Sequence, residues 1–157
     1  MTDKRERQLG QGFYYQEISV GDRFRTRRRL ITESDLVGFI NVTGMLEELF
    51  VDPGHGGIIE GRLVPAALTY GLIEGLIFQT MIQGTGLALL DVTMKALKPV
   101  RVGDVVSAGI EITLVKPTRD GTRAVVASRV TVENGEGEAV LTYDVTRMLQ
   151  GRPDDRS

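Results

Sequence analysis

The stretch of residues 66–82 constrains the fold of this chain more than any other, because it is apolar on almost every side of a helix. Pro65 stands directly before it, at a position that the first turn of a helix tolerates. A helix that is apolar nearly all round is stable only when other elements cover it. Its most apolar part is interrupted by Glu74 and Gln79 and falls well short of the roughly 20 apolar residues that a membrane span needs. The sequence therefore predicts a long buried helix and no membrane partner.

Four strand-like stretches follow this helix and supply elements that can cover it. They span about residues 87–97, 104–116, 122–134 and 138–149, and turn-forming residues separate them. The alternation is clearest from Val106 to Leu114, where every second residue is apolar. We predict the hairpins of an antiparallel sheet that wraps around the helix, which is an α+β fold.

The part before the long helix contains a strand-like stretch at 23–30 and a short helix that begins after Thr32 and ends near Gly44. Residues 45–62 show no period and contain four glycines, which favours a loop, and loops of this length often carry function. Residues 1–12 and 151–157 are polar, charged or rich in Gly and Pro, and are expected to form frayed tails. The prediction is a single domain that spans residues 13–150.

The composition excludes several classes of function. The chain has no cysteine, so it holds no disulfide, no thiolate nucleophile and no cysteine-based metal site. A formal net charge of -2 and only 6% aromatic residues argue against a nucleic-acid partner. The charged N-terminal residues lack the apolar segment of a signal peptide, and the absence of cysteine suits a reducing compartment. We expect a cytoplasmic protein that uses no metal and no cofactor.

The order and spacing of several short motifs resemble those of the MaoC-like dehydratases, a family of the hot-dog superfamily that includes (R)-specific enoyl-CoA hydratases. The motifs lie in residues 20–22, 32–39, 43–44 and 94–104, within a resemblance that covers about residues 16–148. The resemblance implies a hot-dog fold and a thioester ligand, carried either by coenzyme A or by an acyl-carrier protein. Because hot-dog domains commonly share active sites between two protomers, it also implies a homodimer or a heterodimer with a homologue.

The residues that make members of this family hydratases are replaced in this chain. In the family, an Asp after a Ser/Thr-Gly motif and a His five residues beyond it position and activate the water that adds to an enoyl thioester. Met45 and Phe50 occupy those positions, and neither side chain accepts or donates a proton. Pro65 replaces the family's second His, just before the central helix. Positioned acid–base groups typically contribute factors of about 100 to 10,000 each, so the replacements argue against hydration by the family's mechanism.

His55 is the only histidine of the chain and lies in the same loop. Histidine is the side chain best suited to proton transfer near neutral pH. One interpretation is that His55 replaces the missing pair from a shifted position, oriented by Glu47, Glu48 or Asp52. The other is that His55 is exposed or braces the loop. The candidate catalytic residues are His55, Glu47 and Asp52.

The start of the long helix offers a binding site that needs no side chain. The first backbone amides of a helix lack partners within it, and the helix dipole favours negative charge there. In the family, the corresponding amide contacts the thioester carbonyl. The predicted substrate-binding residues are those at the helix start and at the replaced family positions, namely Ala66, Ala67, Met45, Phe50 and Pro65.

Two further features add a third function to the alternatives. His55-Gly56-Gly57 is similar to the His-Gly-Gly signature of hot-dog acyl-CoA thioesterases, which also carry an acid on the central helix, as this chain does at Glu74. The spacing of the two features departs from theirs, and Glu74 also suits a structural role, because a buried carboxylate needs a partner. The sequence leaves three functions open: an enoyl-thioester hydratase or dehydratase, a non-catalytic partner of a catalytic homologue, and a thioesterase.

Overall fold

The computed structural model of the protein describes residues 8–52, 54–55 and 59–153. The strands are β1 (Arg23–Arg25), β2 (Arg29–Leu30), β3 (Gly86–Ala96), β4 (Val105–Pro117), β5 (Arg123–Glu133) and β6 (Ala139–Gln150). All pairings between them are antiparallel, in the order β1-β4-β5-β6-β3, and β2 also pairs with β4. The four long strands begin and end within one residue of their predicted bounds. The predicted antiparallel α+β fold is confirmed.

Among the described residues, three α-helices accompany the sheet, namely α1 (Glu33–Thr43), α2 (Glu48–Val51) and α3 (Ala66–Thr80), and a 3-10 turn spans Tyr15–Glu17. The predicted long helix is α3, which ends two residues earlier than expected. Leu68, Ile73 and Ile77 on α3 belong to one core cluster with alternate residues of β4, β5 and β6. The opposite side of α3 is open, since Phe78 is 53% exposed. The helix is therefore less completely buried than its apolar sequence predicts.

No helix in the described part of the chain is long and apolar enough to cross a membrane.

The alternation predicted for β4 holds over most of the strand and then fails at a bulge. Val106, Ala108, Ile110 and Ile112 are all buried, as expected from a strand with one face on the core. Between Ile112 and Leu114 the pairing with β5 shifts by one residue, and Leu114 is 42% exposed. A bulge moves the following side chains out of phase, which explains why Leu114 departs from the predicted pattern.

The first helix begins and ends as its sequence predicts. The Asp35 amide donates to Thr32 Oγ1 at 3.1 Å, and the Thr32 amide donates to Asp35 Oδ2 at 2.8 Å, so the two residues cap α1 reciprocally. Gly44 follows with a φ of 73°, in the left-handed region that glycine adopts without strain. These caps fix the exit of α1 and hence the start of the loop that follows it.

Two predictions about the N-terminal half were wrong in detail. The stretch 23–30 forms two short strands, because Thr26 Oγ1 accepts the Ala108 amide at 2.9 Å and interrupts the backbone ladder. The segment 45–62, predicted to be a loop throughout, contains the single helical turn α2. Backbone hydrogen bonds close that turn, for example the bond that the Phe50 amide donates to the Glu47 carbonyl. Because backbone groups close it, the sequence shows no apolar period there.

Parts of both predicted tails contact the rest of the protein. The Gly12 amide donates to the Gln83 carbonyl, and the Gly151 amide donates to the Thr122 carbonyl, each at 2.8 Å. Both glycines are buried. Residues 1–7 and 154–157, the outer parts of these tails, lie outside the described residues.

β3 forms an unpaired edge of the sheet. Within the part of the chain that the structure describes, it pairs only with β6, and almost all of its residues are exposed. Leu87, Leu89, Leu90 and Met94 are 51%, 54%, 50% and 41% exposed. Natural proteins usually protect an edge strand of this length with charges, proline or a covering element. No element of the described residues covers this apolar edge.

Candidate functional site

A cavity of about 370 Å³ opens at the N-terminal end of α3, between the helix, the α2 segment and the ends of β3 and β6. Its walls are predominantly apolar, which is typical of pockets that hold small organic ligands. The residues that line it are Leu49, Phe50, Ile59, Leu63, Val64, Ala66, Thr69, Ala96, Leu97, Lys98, Pro99, Val100, Val140 and Leu141. Lys98 is the only one of them with an ionisable side chain.

The helix start contributes unpaired backbone donors to this end of the cavity. Pro65 is the N-cap of α3 and stands directly before the first helical turn, as the sequence predicted. The Leu68 and Thr69 amides donate back to the Pro65 carbonyl, at 3.0 and 3.4 Å. The amides of Ala66 and Ala67 have no acceptor among the described residues, as expected at the start of a helix. Ala66 lines the cavity, so an oxygen atom of a ligand there would meet a partially positive helix end.

Thr69 is the one hydroxyl residue among the described residues of the cavity wall, and it was not among the residues predicted from the sequence. Thr69 is 1% exposed, and its Oγ1 has no hydrogen-bond partner among the described residues. A buried hydroxyl without a partner typically costs about 1–3 kcal/mol. The sequence does show a threonine in an apolar helical stretch, one turn after Ala66. It does not show whether a backbone carbonyl of the helix accepts a hydrogen bond from the hydroxyl of that threonine.

The two positions that replace the family's proton-transfer pair differ in their placement. Phe50, in α2, is half-buried and lines the cavity. Met45, in the turn after α1, is 42% exposed and does not line it. Of the remaining predicted binding residues, Ala66 lines the cavity, whereas Ala67 and Pro65 stand beside it in the chain.

The structure places His55 close to one of the acids suggested for it. His55 Nδ1 lies 3.2 Å from Glu48 Oε2, and both side chains are exposed, at 40% and 76%. Asp52 Oδ1 instead accepts the Gly54 amide, at 2.8 Å, and Glu47 caps α2 by accepting the Glu48 amide. His55 does not line the cavity. Gly56 and Gly57, the rest of the His-Gly-Gly sequence, lie outside the described residues.

Glu74 lies in the core, in a polar cluster with two residues of β6. Arg147 Nη2 donates to Glu74 Oε1 at 2.6 Å, and Tyr143 Oη donates to the same oxygen at 2.7 Å. Burial and the adjacent Glu74 raise the pKa of Tyr143 far above its usual range, so its hydroxyl keeps the proton that it donates. Arg147 also lies over the Phe78 ring, 5.9 Å from its centre. Glu74 is thus paired and does not line the cavity.

Comparison with known proteins identifies the family. A 3-hydroxybutyryl-CoA dehydratase from Methylorubrum extorquens is 30% identical over 111 residues, which make up 68% of this chain and 68% of the relative. The chain belongs to the MaoC-like dehydratase family. No protein-family model matches the sequence.

Solved structures agree with this assignment at the level of the fold. A MaoC-like dehydratase from Rhodospirillum rubrum superposes with a TM-score of 0.77 at 19% identity, over 90% of this chain and 99% of that one. An unliganded R-hydratase from Pseudomonas aeruginosa gives 0.75 at 23% identity, over 90% and 88%. A Mycobacterium tuberculosis protein described as a double hot-dog fold gives 0.75 at 17% identity, over 96% of this chain and 47% of that one. The expected hot-dog fold is confirmed.

Proposed function

We propose that this MaoC-like protein binds acyl-CoA thioesters, with the acyl chain in the cavity and the thioester carbonyl at the start of α3. The observation that carries the proposal is an apolar cavity that begins at Ala66, whose amide has no other acceptor among the described residues. The similarity to a 3-hydroxybutyryl-CoA dehydratase supports a short acyl thioester as the ligand. An apolar wall favours the acyl chain, and the helix end favours the carbonyl oxygen.

We further propose that binding in this protein is not followed by hydration. The described part of the cavity wall contains no histidine and no carboxylate, and Phe50 is one of the residues that line it. Lys98, the one ionisable residue among those described in the wall, is ion-paired with Glu138. A lysine ammonium group has no acceptor site, so Lys98 cannot take the proton from an attacking water while it stays charged. This favours a non-catalytic protomer that retains the family's binding pocket.

The proposal predicts a dependence of affinity on acyl-chain length. Each methylene buried in the cavity contributes about 0.8 kcal/mol, so affinity should rise roughly fourfold per added methylene until the cavity is full. Calorimetric titration with acetyl-, butyryl- and hexanoyl-CoA measures this dependence, and free coenzyme A is the control. Butyryl-pantetheine, which lacks the nucleotide but keeps the arm shared with carrier proteins, separates the two thioester sources. Equal affinities for butyryl-CoA and free coenzyme A would refute binding in this cavity.

The contact between His55 and Glu48 favours a second candidate, hydration of an enoyl thioester by a relocated pair. In this candidate mechanism His55 would activate the water with Glu48 as its partner. Glu47 and Asp52 would remain the alternative partners of His55. The test is hydration of crotonyl-CoA by wild type and by His55→Ala, Glu48→Gln, Glu47→Gln and Asp52→Asn. Activity that is lost in His55→Ala and in one acid variant would establish the pair. The proposal that binding is not followed by hydration expects no activity in the wild type.

We propose that the β3 edge pairs with a second hot-dog domain, supplied either by another copy of this chain or by a homologue. The free edge and its exposed leucines support this, because strand pairing would satisfy the backbone and cover the apolar side chains. One structural relative is a chain of the HadBC complex, a 3R-hydroxyacyl-ACP dehydratase of Mycobacterium tuberculosis, which superposes with a TM-score of 0.64 at 21% identity over 82% of this chain and 96% of that one. That complex supports a heterodimer with a homologue, and the homodimer rests on the free edge alone.

A change of the β3 edge should alter the oligomeric state. We expect the double variant Leu87→Lys/Leu89→Lys to be monomeric under conditions in which the wild type is a dimer, because charged side chains resist burial between two sheets. Light scattering coupled to size exclusion measures the mass of each. Leu46→Lys, at a residue that is 71% exposed and lies outside the sheet, is the matched control and should leave the dimer intact. A double variant that stays dimeric would place the interface elsewhere.

A further inference from the structure

Besides its free amides, the start of α3 has a second feature that points to a ligand. Thr69 lines the cavity and is 1% exposed, yet its Oγ1 has no hydrogen-bond partner among the described residues. In a helix, a threonine hydroxyl ordinarily bonds the carbonyl three or four residues earlier. This hydroxyl makes neither bond, so its donor remains available.

Thr69 lies one helical turn after the free amide of Ala66, on the same face of α3. Helical side chains point toward the helix N-terminus, so the Thr69 side chain covers the turn that begins at Ala66, three residues earlier. The remainder of the described wall is apolar apart from Lys98, which is paired with Glu138. A ligand oxygen atom at this helix end would supply the acceptor that each group lacks among the described residues.

We propose that the Thr69 hydroxyl donates a hydrogen bond to the thioester carbonyl oxygen of the bound acyl group, beside the amide of Ala66. This inference rests on the proposed function and adds a residue that distinguishes a thioester from other acyl-chain ligands. Thr69 thereby positions the carbonyl at the helix end and leaves the acyl chain to the apolar wall. The proposal involves binding alone and no chemical step.

The test compares Thr69→Val, which removes the hydroxyl and keeps the shape, with Thr69→Ser, which keeps the hydroxyl. The ligands are butyryl-CoA and S-butyl-CoA, a thioether that has a methylene in place of the carbonyl. We expect Thr69→Val to bind butyryl-CoA about tenfold more weakly than wild type, which corresponds to about 1.4 kcal/mol. It should bind S-butyl-CoA as wild type does, and Thr69→Ser should retain most of the affinity for the thioester.

Two further measurements separate this role from a structural one. The infrared carbonyl band of butyryl-CoA labelled with carbon-13 at the carbonyl should shift to lower frequency on binding to wild type, and the shift should be smaller in Thr69→Val. The melting temperature of Thr69→Val should equal or exceed that of wild type, because the substitution removes a buried polar group without a partner. A variant that keeps full thioester affinity and the full band shift would overturn the inference and leave the proposed function intact. If wild type binds neither ligand, the proposed function itself fails.

Discussion

Substitution of Arg147 by methionine is expected to destabilise the protein by about 3–5 kcal/mol, because it leaves the buried Glu74 carboxylate without its cation. Both side chains are less than a tenth exposed, so water cannot replace the lost partner. Domains of this size are stable by about 5–15 kcal/mol, and the loss would be a large part of that total. Chemical denaturation monitored by circular dichroism measures the change in the free energy of unfolding.

The double variant Glu74→Leu/Arg147→Met should recover most of that loss, because replacement of a buried ion pair by apolar residues is often neutral or stabilising. The Tyr143 hydroxyl loses its acceptor in the double variant, so a deficit of about 1 kcal/mol should remain. Arg129→Met is the matched control: it removes an exposed partner of Asp144 on the neighbouring strand, at a cost of at most about 1 kcal/mol. Equal costs for Arg147→Met and Arg129→Met would contradict a structural role of the buried pair.

Filling the cavity with Ala96→Phe is expected to weaken butyryl-CoA binding by roughly 30-fold, or about 2 kcal/mol, because the acyl methylenes lose their apolar surroundings. Ala96 lines the cavity at the end of β3 and is itself exposed. Phenylalanine suits a strand, so the free energy of unfolding should change by no more than about 0.5 kcal/mol. Calorimetry with butyryl-CoA measures the loss of affinity.

The control for this substitution is Ala88→Phe, an equally sized change at another exposed alanine of β3 that lies outside the cavity wall. It should leave butyryl-CoA affinity unchanged. Free coenzyme A should bind both variants as it binds wild type, because the substitution fills only the space of the acyl chain. Equal weakening in both variants would indicate an effect on β3 as a whole and would argue against the cavity as the acyl site.

The sequence predicted the strands to within a residue because each is bounded by turn-forming residues, such as Pro99 and Gly103 before β4. It did not predict the bulge between Ile112 and Leu114, where β4 pairs with β5 out of phase. That irregularity depends on the register of two strands and is not encoded in the alternation of either one. The helical turn α2 escaped prediction for a related reason, since backbone bonds close it without an apolar period.

The sequence predicted the part of the candidate site that depends only on where α3 begins, which includes Ala66. The partners of Glu74 were not predictable, because Tyr143 and Arg147 lie about 70 residues away in the chain and meet it only through the packing of α3 on β6. Both occupy the buried face of β6, at alternate positions that the sequence pattern assigns to apolar residues. Thr69 was missed because the lack of a partner for its hydroxyl is a property of the folded chain.

The central claim is that this MaoC-like protein keeps an acyl-thioester pocket without the proton-transfer pair that would make it a hydratase. The most direct test is a proton NMR experiment on the wild-type protein mixed with crotonyl-CoA. We predict saturation transfer from the protein to the crotonyl methyl group, and no 3-hydroxybutyryl signals however long the mixture stands. The absence of saturation transfer would contradict binding in the cavity, and 3-hydroxybutyryl signals that form with wild type but not with His55→Ala would contradict the loss of catalysis.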